Sequence, residues 1–207
     1  QGLYALGVSG ELWANLSISL QRLAIGWVIG TACGLVVGLA LGLFTLARSP
    51  GMAVVSALFP IPTIALVPLF IIWFGIGEGS KVVTLAFGVF FPTVMNVVAG
   101  VDGVPRNLIR MGQSFGLSWA SIIRKIVLPG ALPTILSGFR ITVSIAIVLL
   151  VAAEMIGAEK GIGAFVLAAG NLYDTDNLLA GIVLLSAMGL AASWVIGRLE
   201  KWLLRWR

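Results

Sequence analysis

The chain has no histidine and one cysteine, Cys33, among its 207 residues. Zinc sites of the His/Cys type are excluded, as are Ser–His and Cys–His nucleophile pairs, and no metal ligand set is expected. With one cysteine, no disulfide can close within the chain. Charge is scarce: 10% of residues are Asp, Glu, Lys or Arg, against about 25% in an average protein. A phosphate-binding Walker A loop is missing as well. The stretch GIGEGSK at 75–81 places Ser before Lys, whereas the pattern needs Lys followed by Ser or Thr. The chain thus carries no ATPase motif of its own.

What remains is apolar. Hydrophobic residues make up 59% of the chain and the mean hydropathy is +1.10. The apolar runs are too long for strands, so the fold class is an all-α integral membrane protein in a lipid bilayer. The net charge of +5 would suit nucleic acid only as a patch in water. Here the cations cluster at span ends, and no nucleic-acid partner is expected.

Five spans are visible in a single transmembrane domain over 1–207, at about 14–46, 52–74, 81–100, 131–157 and 178–197, with no convincing internal repeat. The first carries Gly26, Gly30, Gly34, Gly38 and Gly42, an i, i+4 ladder that lets another helix backbone approach closely in lipid. Its partner, within the chain or in a dimer, is not specified by the pattern. Arg48-Ser49-Pro50-Gly51 reads as a turn. The second span holds Pro60, Pro62 and Pro68; prolines kink or break a helix, either as a packing device or as a segment lining a path. Asn96 in the third span is expected to hydrogen-bond a neighbouring helix. Glu154, near the far end of the fourth, has two readings: an intramembrane functional carboxylate, or an acid held by backbone or Ser/Thr donors. Arg140 can snorkel to the interface. Residues 158–177 form a loop whose short apolar piece can dip into the membrane, and the tail RLEKWLLRWR ends in the interfacial anchors Trp202 and Trp206.

Between the third and fourth spans lies a polar island, 106–130, with Arg106, Arg110, Arg124 and Lys125. A charge at mid-bilayer costs at least ~2.5 kcal/mol, so the island lies outside the hydrocarbon. Two short helices meet at Gly116, whose missing Cβ suits a sharp corner. Ser118 is an N-cap. Trp119, Ile122, Ile123, Ile126 and Val127 share a face, and Pro129 supplies a stop. Such a helix either lies among headgroups or plugs into a soluble partner. Placing the island in the cytoplasm also places Arg48, Arg140 and the tail there, ten of the thirteen cations, as the positive-inside rule requires. Gln1 then lies outside, and one earlier span is expected ahead of it.

The island resembles the cytoplasmic loop of ABC importer permeases, which reads Glu-Ala-Ala, three residues, Gly, nine residues, Ile-x-Leu-Pro. Gly116 is followed by nine residues and then Ile126-Val127-Leu128-Pro129, while Arg110-Met111-Gly112 stands where that pattern has Glu-Ala-Ala. The stretches 59–81, 151–163 and 174–182 are similar to permeases for taurine, aliphatic sulfonates, nitrate and bicarbonate. The resemblance implies a six-span, type I importer permease of the bacterial inner membrane, pairing with a second copy. It also implies two ATPase subunits that bind ATP and Mg²⁺, and an extracytoplasmic solute-binding protein. Gly116, Leu117, Ser118, Trp119, Ile122, Ile123, Arg124 and Lys125 would form the coupling helix, with Trp119, Ile122 and Ile123 filling an ATPase groove. Pro62, Pro68, Asn96 and Glu154 are candidates for the substrate path. Sulfonates or taurine lead over nitrate, bicarbonate or a heterocyclic nutrient. An ATPase-independent carrier or channel would need intramembrane charges for ion coupling, of which few are present. A non-transporting scaffold would bind an ATPase without solute flux.

Overall fold

A computed structural model describes residues 11–205; the segment 1–10, Trp206 and Arg207 lie outside the described residues, as do the side chains of Glu11 and Leu12. The described residues form helices and contain no strand. In chain order these are α1 (Glu11–Leu43), α2 (Thr45–Leu58), a 3₁₀ turn (Thr63–Leu66), α3 (Val67–Phe74), α4 (Glu78–Asp102), α5 (Arg106–Ser114), α6 (Trp119–Ile122), a π-helical turn (Ile123–Val127), α7 (Leu128–Gly157), α8 (Ile162–Asn171) and α9 (Thr175–Leu203). By length and apolarity four helices can cross a membrane, or five if the interrupted pair α2 and 63–74 counts as one.

The chain divides into two compact units. Among the described residues, one comprises 11–30, 62–89 and 143–195, around a core of Leu23, Leu85, Val89, Ala146, Leu150 and Met188. The other comprises 31–61, 90–142 and 196–205, around Val97, Val104, Ile122, Val127, Ala131 and Ile135. Large apolar side chains also point outward, among them Ile25, Val28 and Val36 on α1 and Leu179, Val183 and Leu190 on α9. In water such faces would aggregate; in lipid they are solvated.

The glycine ladder of α1 lies against α4. In the first unit Gly26 meets Leu85 and Gly30 meets Ala86; in the second Gly34 meets Thr93, Gly38 meets Val97 and Gly42 meets Val101. A Cβ added at Gly30 would fall 2.5 Å from the Ala86 carbonyl oxygen and 2.9 Å from its Cα. Those are backbone atoms, which no side-chain rotation can clear.

The prolines act differently from the sequence expectation in three places. Residues 48–51 are not a turn: the chain breaks earlier, at Phe44, which is extended, and Pro50 lies inside α2. Its fixed φ fits a helix, at the loss of one backbone hydrogen bond, and Gly51 lies against the end of the Leu41 side chain. Pro68 starts α3 rather than kinking a span, because a first-turn N–H has no helical partner to lose. Pro129 does not stop the helix. The Leu128 N–H bonds the Ile123 carbonyl in the π-helical turn, and the widened turn lets the helix run on from Trp119 to Gly157. The second span is interrupted between Leu58 and Thr63, around Pro60 and Pro62.

Two polar expectations also change. The Asn96 amide bonds the Pro92 carbonyl of its own helix at 2.9 Å rather than a neighbour, and its side chain packs on Gly138. Arg140 is not left to snorkel: it pairs with Glu200 of α9 at 2.7 Å. The apolar piece of the 158–177 loop is α8, with 10 residues; at about 1.5 Å per residue it is too short to cross.

Replacing Gly30 with Val should destabilise the protein by about 1–3 kcal/mol through overpacking. Gly77→Ala, where an added Cβ meets nothing within 4 Å, should be close to neutral. Thermal unfolding of the two variants in detergent measures the difference.

Candidate functional site

Two polar constructions are candidates for function, one in each unit. The first is built on Glu154, at the end of α7. Its carboxylate is fully enclosed, 0% exposed. The Ser19 hydroxyl lies 2.8 and 3.0 Å from its two oxygens, and Arg22 Nη1 donates to Oε1 at 2.8 Å. The backbone N–H of Gly163 donates to Oε2 at 2.8 Å. Arg22 is itself 4% exposed. Its Nε and Nη2 grip both oxygens of Glu78 at 2.6 Å, and Nη1 also reaches the Lys160 carbonyl at 2.7 Å.

The local sequence explains how this geometry arises. Asn15, Ser19 and Arg22 are spaced four and three apart, so they share one face of α1. Asn15 accepts from the Gly161 N–H at 2.8 Å, and the Ser19 oxygen accepts from the Ile162 N–H at 2.9 Å. Gly161 adopts φ +130°, and a Cβ there would lie 2.5 Å from the Glu154 carboxylate. At Gly163 an added Cβ would lie 2.8 Å from Glu154 Cβ. Both glycines therefore let the loop wrap the acid. Burying a charge pair costs more than its attraction returns unless the remaining lone pairs and protons find partners; here they do. The cluster holds α1, α4, α7 and the loop before α8 together.

The second construction is the corner between α5 and α6, in the other unit. Gly116 sits at φ +70°, a conformation that costs a residue with a Cβ. The Ser118 oxygen accepts from the Ser121 N–H at 3.4 Å, which caps α6. Around the corner, Phe115 is 78% exposed and Trp119 47%. Leu117, Arg124 and Lys125 are exposed too, and Ile123 is half-buried.

Ile122 departs from its expected role. It is 1% exposed and packs with Val97, Val104, Val127 and Ala131. It anchors the corner to its own chain and cannot fill a partner's groove. The shared apolar face of α6 and the π-helical turn is turned inward, because Ile122 and Val127 find a core within the chain. The outward apolar side chains come instead from the corner itself, Phe115 and Leu117 beside Trp119.

The four residues considered for a substrate path are placed as follows. Pro62 and Pro68 are exposed on the 3₁₀ turn and α3, Asn96 is half-buried, and Glu154 is occupied by its internal partners. Neither Pro62 nor Pro68 is among the groups that bond Glu154. Sequence reasoning missed Arg22. The available signal was its spacing from Asn15 and Ser19.

A family model described as "Binding-protein-dependent transport system inner membrane component" matches residues 30–205. The taurine transport system permease protein TauC of Escherichia coli (strain K12) is 37% identical over 199 residues, 96% of this chain and 72% of that protein. A Bacillus subtilis (strain 168) protein named as an aliphatic sulfonates transport permease, SsuC, is 36% identical over 200 residues, 97% and 72% of the two chains. Among solved structures, a chain from an inward-facing MetNI methionine ABC transporter matches with TM-score 0.78 at 24% identity, covering 93% of this chain and 95% of that one. A chain of an amino acid ABC transporter with histidines matches with TM-score 0.75 at 16% identity, covering 97% and 98%.

The fold is thus that of the type I ABC importer permeases, all-α and multi-pass. The chain belongs to the family of binding-protein-dependent transport system inner membrane components. As its description says, this is an inner-membrane family that works with a binding protein, and as ABC transporter permeases its members serve an ATPase partner.

Removing one side of the buried cluster should be costly. Glu154→Ala leaves Arg22 and the Gly163 N–H short of an acceptor and should destabilise by about 3–5 kcal/mol. Glu154→Gln keeps the shape and one acceptor and should lose less. Thermal unfolding in detergent should rank wild type above Gln above Ala; equal midpoints would show that the enclosure contributes nothing.

Proposed function

We propose that the chain is the translocating subunit of an ATP-driven importer for aliphatic sulfonates, taurine among them. The subunit is non-catalytic, pairs with a second copy, and receives solute from an extracytoplasmic binding protein. The observation that carries the reading is the corner at Gly116. It holds Phe115, Leu117 and Trp119 exposed on a backbone pinned by the buried Ile122. An exposed apolar knob on a rigid base is what a soluble partner's groove can grip, since ordering costs are already met.

In this reading the 106–130 segment and the C-terminus face the cytoplasm. Two ATPase subunits, which hold the ATP and Mg²⁺, each take one corner into a groove. Arg124 and Lys125 rim the contact. ATP closes the ATPases, the corners move together, and the spans tilt toward an outward-open state; hydrolysis resets them. The pinning matters, because a loose helix would absorb the ATPase motion instead of passing it to α7. The sulfonate assignment rests on the names of the relatives, and the enclosed Glu154 supports it. Because its charge is already matched by Arg22, it repels an anionic solute less than an open carboxylate would.

Co-purification with the ATPase tests the dock. Leu117→Asp with Trp119→Asp should reduce ATPase retention at least about tenfold, the effect of losing roughly 1.4 kcal/mol. Gly116→Val should do likewise by straining the corner. Retention and taurine uptake unchanged in both variants would refute the coupling role.

A further inference from the structure

Beside α5 the second unit contains a cleft of about 790 Å³, within the range of small-molecule sites. Its walls include the Arg48–Asp102 pair, Arg106, Arg110, Gln113 and Trp119. We propose that this cleft is a binding site for a tetrahedral oxyanion, a sulfonate or phosphate group. It borders the coupling corner at Trp119 but rests on the arginines of α5 and does not depend on that reading.

The argument is one of unmatched charge. Asp102 is the acid on the wall, and it is matched: Arg48 Nη1 donates to its Oδ1 at 2.7 Å and Nη2 to its Oδ2. Arg106 and Arg110 line the same cleft, and among the described residues neither makes an ion pair. The cleft therefore carries two uncompensated positive charges. Their arrangement is unfavourable in the absence of an anion. Spaced four apart on α5, they face the same way and repel each other. Arg106 is also the first residue of α5, which has no side-chain cap, so it lies at the positive end of the helix dipole. An anion seated between the guanidiniums would relieve both conflicts. The planar forks of two arginines match the oxygens of a sulfonate or phosphate. Gln113 and Trp119, whose side chains carry N–H donors, also line the cleft. A carboxylate would use one fork; a tetrahedral oxyanion can engage both.

The same chemistry is available from a free anion in the cytoplasm, the imported sulfonate included, or from the phosphate of an anionic lipid. The test uses the full-length permease in nanodiscs. In neutral phosphatidylcholine discs, radiolabelled sulfate is titrated at constant ionic strength in chloride, with ethanesulfonate and phosphate as competitors. If the ligand is a free oxyanion, sulfate binds saturably, one per chain, and both competitors displace it. If it is a lipid headgroup, native mass spectrometry from discs containing phosphatidylglycerol shows one such lipid retained per chain. In either case Arg106→Gln with Arg110→Gln should weaken binding by about tenfold or more, and Arg110→Lys by a few-fold, because it keeps the charge and loses the fork. The Lys variant is the readout if the double variant does not fold. Absence of both ligands, or binding that neither variant alters, would overturn the proposal.

Discussion

An ionised carboxylate can sit inside a membrane-spanning bundle only if every oxygen is bonded and its charge is met, and the enclosure of Glu154 satisfies both conditions. Ser19 and Arg22 from α1 and the Gly163 N–H from the loop surround it, while the same arginine grips Glu78 at the start of α4. The arrangement constrains much else in its unit. Gly161 and Gly163 must be glycine, Ser19 and Arg22 must share a helix face, and the loop before α8 must return to α1. Breaking one partner exposes the cost of the others, so the cluster behaves as a single latch. A latch that joins several helices through charge is stiff while closed, yet it can be released by moving one helix. That is the property an alternating-access subunit needs.

The close contact of α1 with α4 follows a different logic. Without water, apolar helices have no hydrophobic reason to associate, and backbone proximity takes over. The glycines of α1 supply it, and the partner surface is made of Leu85, Ala86, Thr93, Val97 and Val101 on α4. Some prolines complement this by setting where helices start and break, while Pro50, Pro92 and Pro133 lie inside helices. Pro68 opens α3, and the π-helical turn before Pro129 joins the amphipathic segment to α7 without a loop.

The corner and the cleft beside it divide the polar island between them. Phe115 and Leu117 project outward, whereas Arg106 and Arg110 line the recess. Arg110 stands at the head of the loop pattern, where the resemblance leads one to expect Glu, and it lines the cleft.

Composition and spacing by themselves determined the class of this protein. Long apolar runs in a chain short of charge leave only membrane helices, because lipid offers no partner for a bare peptide group. The Gly116 corner and the Ser118 cap were legible because each is a local requirement of backbone geometry, whereas the stop expected at Pro129 was not realised. Tertiary structure alone decided the pairings. That Arg22 meets Glu154, 132 residues away, cannot be read from either neighbourhood. Nor can it be read locally that Arg140 meets Glu200, that the glycine ladder faces α4, or that Ile122 turns inward. A helix face specifies what it can contact, but the choice among possible contacts depends on which other surfaces the fold brings near. Burial and charge pairing are properties of that choice, not of the segment.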